Sequence, residues 1–530
     1  MDKFIVENKN IDLLSFLKLV NNASIKLELS CEVARQVEES RKLLDKFVHE
    51  GRIIYGVNTS MGGFVNYVVP VDLAEKLQLN LLNSVASNVG DFFDDKIVRA
   101  VMIARFLSLS KGVSAISLRN LNVLKEMIDR EIYPCIPRKG SLGSSGDLGP
   151  LAFIALVGTG KWKAKYNGKI LSGEEAMKKA GIEKMRLGYK EGLALINGTS
   201  AMTALAALNI KKARQLFEIY LYISSLSFEG LATKIKPFDI RVHKRKQHSG
   251  QLYVAKKIYG ILKNSKMIVD ENEAGEKIKD SFEGKVKSID NQIEDAYSIR
   301  CTPQILGPIC DTLDFVEKII VDELNSSSDN PLVIPEHKEV FHNGHFHGQY
   351  ISMAMDYLAI CMTTISNLSD RRIDRFMDAT NSNGLPAFLC RETPGLRLGF
   401  MGGQFMSTSV TAENRSLCVP LSIQSLTSTG DFQDIVSFGL VASRRAEEII
   451  DNAGYILSFE LLCACQAVDI RDHHKISPVT NVLYKKIRKN IPYCDKDVII
   501  TDHCDSIKNV IFDDNVLNEL QIMSAKNDET

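Results

Sequence analysis

Two stretches of this sequence, DYLAICMTTISNLSDRRIDRFMD and ASRRAEEIIDNAGYILSFELLCACQAVDI, carry apolar residues on more than one side at helical spacing. A helix of that kind has no broad face to give to water, so it must pack against several neighbours. The same recurrence every three to four positions runs through DDKIVRAVMIARFLSLSKG and SLRNLNVLKEMIDREI, with charges between the apolar residues. Strand alternation is scarce. The expected fold is therefore mainly α: a long central helix bundle with a small N-terminal part, forming one unit over residues 1–530 whose internal boundary the pattern does not mark. A chain of 530 residues can bury such a core without covalent staples.

Charge and cysteine usage narrow the partners. Lys and Arg number 65 and Asp and Glu number 65, so the formal charge is zero. This removes the long-range attraction expected of a nucleic-acid or anionic-membrane binder and leaves a small molecule as the expected ligand. The 11 cysteines include no Cys-x-x-Cys pair, and Cys463 and Cys465 sit in the apolar run SFELLCACQAV, as small hydrophobes of a reducing compartment would. The segment MDKFIVENKNIDLL has no basic stretch followed by a continuous hydrophobic one. No apolar run approaches the ~18 residues of a membrane span. A cytoplasmic protein is expected. Asn264 to Asp290, rich in Lys, Glu and Asp, reads as solvated helix or loop.

Glycine is costly in helices and marks backbone that bends sharply or approaches something closely. It clusters in YGVNTSMGGF (Tyr55 to Phe64), GSLGSSGDLGPLA (Gly140 to Ala152) and FHNGHFHGQY (Phe341 to Tyr350). The second cluster lacks the Gly-Lys-Ser/Thr ending of a phosphate loop and does not follow a clear strand as a dinucleotide turn would. A plain surface loop is one reading. The other is self-cyclisation, in which the Gly146 nitrogen attacks the Ser144 carbonyl, whose oxygen leaves as water, and Ser145 loses its hydroxyl as a second water. The product, a methylidene-imidazolone, supplies the electrophile that protein side chains lack. Gly146 lets the chain fold tightly enough, Ser145 can dehydrate to an alkene, and Ser144 lends only backbone atoms.

Together with GLALINGTSAM, EDAYSIRCTPQILGP, ELNSSSDNPL and STGDFQDIVSFG, these segments make the chain resemble the aromatic amino acid ammonia-lyases and 2,3-aminomutases along nearly its whole length. The resemblance implies a 4-methylidene-imidazole-5-one (MIO) group formed autocatalytically from Ser144, Ser145 and Gly146, with no metal or diffusible cofactor. It also implies a homotetramer whose active sites draw on more than one subunit. Tyr55 would take the substrate's β-proton. This requires a phenolate, and therefore a site that lowers its ordinary titration near pH ~10. Arg300 would grip the substrate carboxylate bidentately, Asn197 and Tyr297 would supply neutral donors, and Phe346 would pack beneath the ring. Standing alone, any of these would read more simply as a core polar residue or a structural ion pair.

The resemblance also bears on specificity. Histidine-specific relatives carry glutamate where this chain has Gln433, and relatives acting on histidine or tyrosine often place a histidine in the segment that here reads Asn83-Ser84-Val85. The implied substrate is L-phenylalanine or L-tyrosine, with Ser84 and Val85 near the aryl ring. Two departures stand out: Ser144 replaces the usual alanine, and Ser328 stands where many relatives read Asn-Asp-Asn-Pro. NTSMGGF, NGHFHGQY and SSG together look like bacterial aromatic 2,3-aminomutases, whereas typical lyases read closer to NTGFG and ASG. An aminomutase is therefore expected, with an ammonia-lyase as the alternative and a non-catalytic helical scaffold as the other class. His342, His345 and His347 are dense in imidazole, yet no carboxylate or cysteine accompanies them at metal-ligand spacing. They read as a loop near the active site.

Overall fold

The computed structural model describes residues 2–271, 286 and 293–529. The described residues are mainly helical. Strands are only two to four residues long and form small isolated pairs and one three-stranded sheet. Much of the charged stretch from Asn264 to Asp290 lies outside the described residues, and its start, up to residue 270, runs in turns after the helix Ser249–Leu262.

The chain divides into two compact units, each assembled from three segments: Met1–Asn209, Val316–Asp356 and Pro420–Arg445 in the first, Ile210–Phe315, Tyr357–Val419 and Ala446–Thr530 in the second. Four long helices, Ser200–Gly230, Thr302–Leu324, Gln349–Met377 and Gly439–Arg471, contribute residues to both. Helices Gln349–Met377 and Gly439–Arg471 contain 18-residue windows of mean hydropathy 1.2 and 1.4, longer apolar stretches than the sequence pattern suggested. Of those windows, 72% and 83% is buried inside the fold, as in the core helices of a globular protein. Cys463 and Cys465 lie fully buried on the second, and burial pushes both thiols up, Cys465 to about 12.

In the first unit, a buried cluster of Leu44, Phe47, Ile54, Val57, Ala115 and Val333 fixes the loop that carries Tyr55. Leu44 and Phe47 come from the amphipathic helix Cys31–His49, capped by the Ser30 side chain, and Val333 from the short strand Leu332–Ile334. Ile54 and Val57 flank Tyr55 and are almost wholly buried. Burying such a side chain stabilises by about 1.5–3 kcal/mol, so the loop is held on both sides of the tyrosine.

The second unit buries the side chain of Arg372. Its guanidinium is fully buried and donates to the Ser298 carbonyl (2.8 Å), Ser224 Oγ (2.6 Å), Thr302 Oγ1 (2.8 Å) and Glu460 Oε1 (3.3 Å). With Arg372 on the middle segment, these partners come from the other two, so the bonds join all three. A buried ion pair is tolerable when its remaining donors are satisfied in this way.

Candidate active site

The Tyr55 loop is built from local hydrogen bonds. Asn58 Oδ1 accepts the Ile54 N–H at 2.8 Å, Asn58 Nδ2 donates to the Arg52 carbonyl at 2.7 Å, and Thr59 Oγ1 accepts the Gly56 N–H at 3.1 Å. Gln78, buried on the helix Ala74–Val85, donates to the Gly56 carbonyl and accepts the Leu193 N–H, tying loop to helices. The Tyr55 N–H donates to His342 Nε2 at 3.2 Å, and its phenol oxygen accepts the Gly62 N–H at 3.2 Å. Burial raises the phenol above its ordinary 10.0, and the Gly62 N–H only opposes that rise. The sequence reading required a lowered value. Within one chain the desolvation of the ring outweighs the single backbone donor.

Ser144, Ser145 and Gly146 lie between the strand Pro137–Lys139 and the apolar helix Leu148–Gly158, buried beyond its first residue. Gly146 has φ +72°, and a Cβ there would stand 2.2 Å from the Gly198 carbonyl oxygen, so only glycine fits. The Asp147 N–H donates to that same carbonyl at 2.8 Å. Asp147 is fully buried, accepts from Ser141 Oγ at 3.1 Å and from the Met202 N–H at 2.8 Å, and has its carboxyl raised to about 7 by burial. Asn197 Nδ2 donates to the Ser145 carbonyl at 3.0 Å, while Asn197 Oδ1 is buried without a partner. A segment forced into a tight, positive-φ bend and held by backbone and amide contacts suits the cyclised group that the sequence implies.

Gln433 connects to both serines. Its Nε2 donates to Ser145 Oγ at 2.9 Å, and its Oε1 accepts from Ser144 Oγ at 2.9 Å and from Ser428 Oγ and Thr429 Oγ1 at 3.0 Å each. The Ser144 side chain, to which the sequence reading gave no part, is thus a contact of its own.

These groups surround a cavity of about 890 Å³ in the first unit. Tyr55, Ser84, Val85, Ser145, Asn197, Phe346 and Gln433 line it; Ser144 and Gly146 flank Ser145 and are buried. Leu81, Ser84 and Val85 reach it together because they share one face of their helix. Phe346, His342 and Asn343 arrive on the loop that follows the hairpin Leu332–Ile334/Glu339–Phe341, and Asn330 Oδ1 accepts the Asn343 N–H at 2.8 Å. Ser328 does not line the cavity; it is 3% exposed, beside Ser108 and the Thr199 N–H.

Tyr297 and Arg300 are not among the lining residues. They belong to the second unit, on the four-residue helix Tyr297–Arg300, where Tyr297 is 69% exposed and Arg300 pairs with Glu294. The sequence reading did not single out Met61, Leu81, Leu193 or Phe432 among the lining residues. All but Leu81 fall within the glycine-rich and motif segments, and helical spacing from Ser84 points to Leu81. Among the described residues, no group of three or more His, Cys, Asp and Glu could hold a metal ion.

The chain belongs to the aromatic amino acid lyase family, whose model, described as aromatic amino acid lyase, matches residues 12–489. Its structure is similar to that of the phenylalanine aminomutase of Pantoea agglomerans, with a TM-score of 0.94 and 55% identity, covering 98% of this chain and 100% of that one. It is 40% identical over 447 residues to a tyrosine 2,3-aminomutase of Chondromyces crocatus, which is 84% of each chain. It is 37% identical over 491 residues to a histidine ammonia-lyase of Caldanaerobacter subterraneus, 93% of each.

Proposed function

We propose that this protein is an aromatic amino acid 2,3-aminomutase that converts L-phenylalanine or L-tyrosine to its β-amino acid through an arylacrylate. The observation that carries the reading is one cavity lined by Tyr55, Ser145, Asn197 and Gln433, with the glycine-dependent bend at Gly146 beside it. The MIO group formed from Ser144, Ser145 and Gly146 would supply an electrophilic carbon for the substrate amine. The other residues bind, orient and move protons.

Tyr55, as phenolate, removes the β-proton, a general-base role worth about 10²–10⁴-fold. Asn197 donates to the Ser145 carbonyl oxygen and would there stabilise the negative charge that the MIO group would develop. Phe346 lines the cavity and would pack against the MIO group, and Leu81, Ser84 and Val85 would meet the aryl group of the substrate. Arg300 grips the carboxylate through a planar two-point contact, with Tyr297 as a neutral donor. Because both stand outside the lining of the first unit's cavity, they serve a site completed by another copy in a homotetramer.

Near-complete coverage at 55% identity to a phenylalanine aminomutase supports the mutase reading. The histidine ammonia-lyase relatives support a second, in which the acrylate and ammonia leave separately. The two share every elimination residue and differ in how long the closed site retains the acrylate. Incubation with L-Phe, L-Tyr and L-His followed by chiral product analysis tests this. β-Phenylalanine or β-tyrosine is expected; arylacrylate alone would overturn the mutase, and turnover of histidine alone the substrate class.

A further inference from the structure

The turn that carries Gln433 is strained and rests on the tyrosine loop. Thr429, Gly430 and Asp431 have φ of +58°, +58° and +65°, conformations that cost a β-branched threonine in particular. A Cβ on Gly62 would stand 3.0 Å from Thr429 Cγ2, and one on Gly63 would stand 3.2 Å from the Thr429 carbonyl oxygen, so the turn lies directly on these glycines. Gly62 is the residue whose N–H meets the Tyr55 phenol. Phe432, half exposed, lines the cavity from the same turn.

Backbone bonds between Ser428 and Gln433 close this turn, and the Gln433 side chain ties it across the cavity. Its carbonyl oxygen takes the Ser428 and Thr429 hydroxyls from within the turn and the Ser144 hydroxyl from across the cavity, while its amide nitrogen donates to Ser145 Oγ. Dehydration consumes the Ser145 hydroxyl and spares that of Ser144. In the mature protein the Ser144 hydroxyl is therefore the one remaining side-chain bond from this serine pair to Gln433. An alanine at this position could not make it.

We propose that Ser144 is a positioning residue: by holding Gln433 it keeps the 428–433 turn down over the cavity, slows escape of the arylacrylate and so favours the β-amino acid over free acrylate. This rests on the mutase reading above.

The test uses the holoenzyme and two readouts, the ratio of β-amino acid to arylacrylate made from L-Phe and the dissociation rate of added cinnamate. Losing one hydrogen bond changes a rate by about fivefold. Ser144→Ala is expected to release cinnamate about fivefold faster and to shift the product ratio by a similar factor. Its 144–146 peptide should still be lighter by two waters, because ring closure uses only the backbone of residue 144. Ser144→Thr should restore both readouts. In a Gln433→Leu background, Ser144→Ala should add nothing. An unchanged release rate in Ser144→Ala would overturn the proposal, as would an effect that persists at full size without Gln433 or a failure of that variant to lose the two waters. A parent protein that makes no β-amino acid would refute the mutase reading, while its cinnamate release rates would still report on the Ser144–Gln433 bond.

Discussion

The Gly62 N–H donates to the phenol oxygen of Tyr55 at 3.2 Å, from within the same glycine-flanked loop. It opposes the burial that raises the phenol, without overcoming it. A base works only when ionised, so a raised value means that the active fraction of Tyr55 grows with pH. kcat/KM should therefore climb from about pH 7 to about pH 9, approaching tenfold per unit. In Tyr55→Phe the residual rate should fall by at least about 10²-fold and lose this slope. A flat parent profile would contradict the assignment of Tyr55 as base.

Gly146 tolerates no side chain, since a Cβ would meet the Gly198 carbonyl oxygen at 2.2 Å on a backbone already at φ +72°. Gly146→Ala should block the tight bend, leave the 144–146 peptide at its unmodified mass and lower the thermal midpoint. Left-handed backbone alone costs a non-glycine residue about 1–2 kcal/mol. Mass spectrometry and a melting curve read both effects.

Part of this site is legible in the amino-acid sequence, because Tyr55, Ser145 and Phe346 sit in glycine-rich segments whose composition betrays unusual backbone. Asn197 and Gln433 are reached only through the family resemblance. Residues whose role depends on contact across loops are not legible there: no local pattern reveals that Thr429 presses on Gly62 and Gly63, or that the Ser144 hydroxyl reaches Gln433. Arg300 shows the other limit. A motif names a residue type, but the place of that residue in the fold is set by packing, and here it stands in the second unit beside Glu294. The helices are readable from their period, whereas strands of two to four residues are too short to leave an alternation.

Asn197 Nδ2 holds the Ser145 carbonyl oxygen at 3.0 Å. Removing a donor aimed at developing charge typically costs about 10²–10³ in kcat. Asn197→Ala should show a fall of that size with KM changed only a few-fold and the two-water loss retained. An unchanged kcat would remove Asn197 from the chemistry.

Glu229 is fully buried in the second unit, and burial pushes its carboxyl from 4.5 up to about 7, against hydrogen bonds from Thr480, Ser265 and the Ser477 N–H. Below about pH 4.5 folded and unfolded chains both hold the proton. Between there and about pH 7 only the folded chain does, so stability falls as pH rises, by on the order of 3 kcal/mol in total, and levels off above. Glu229→Gln stays neutral throughout. Its melting temperature relative to the parent should rise between about pH 5 and pH 7 and then stay level; a difference independent of pH would contradict the raised carboxyl.

The chemistry proposed for the cavity requires that Ser144, Ser145 and Gly146 have closed into a ring. Trypsin cleaves after Lys139 and Lys161, which isolates the segment Gly140 to Lys161. In catalytically active protein that peptide should weigh two waters less than its sequence demands. The full unmodified mass, in protein that turns over L-Phe or L-Tyr, would contradict the account at its centre.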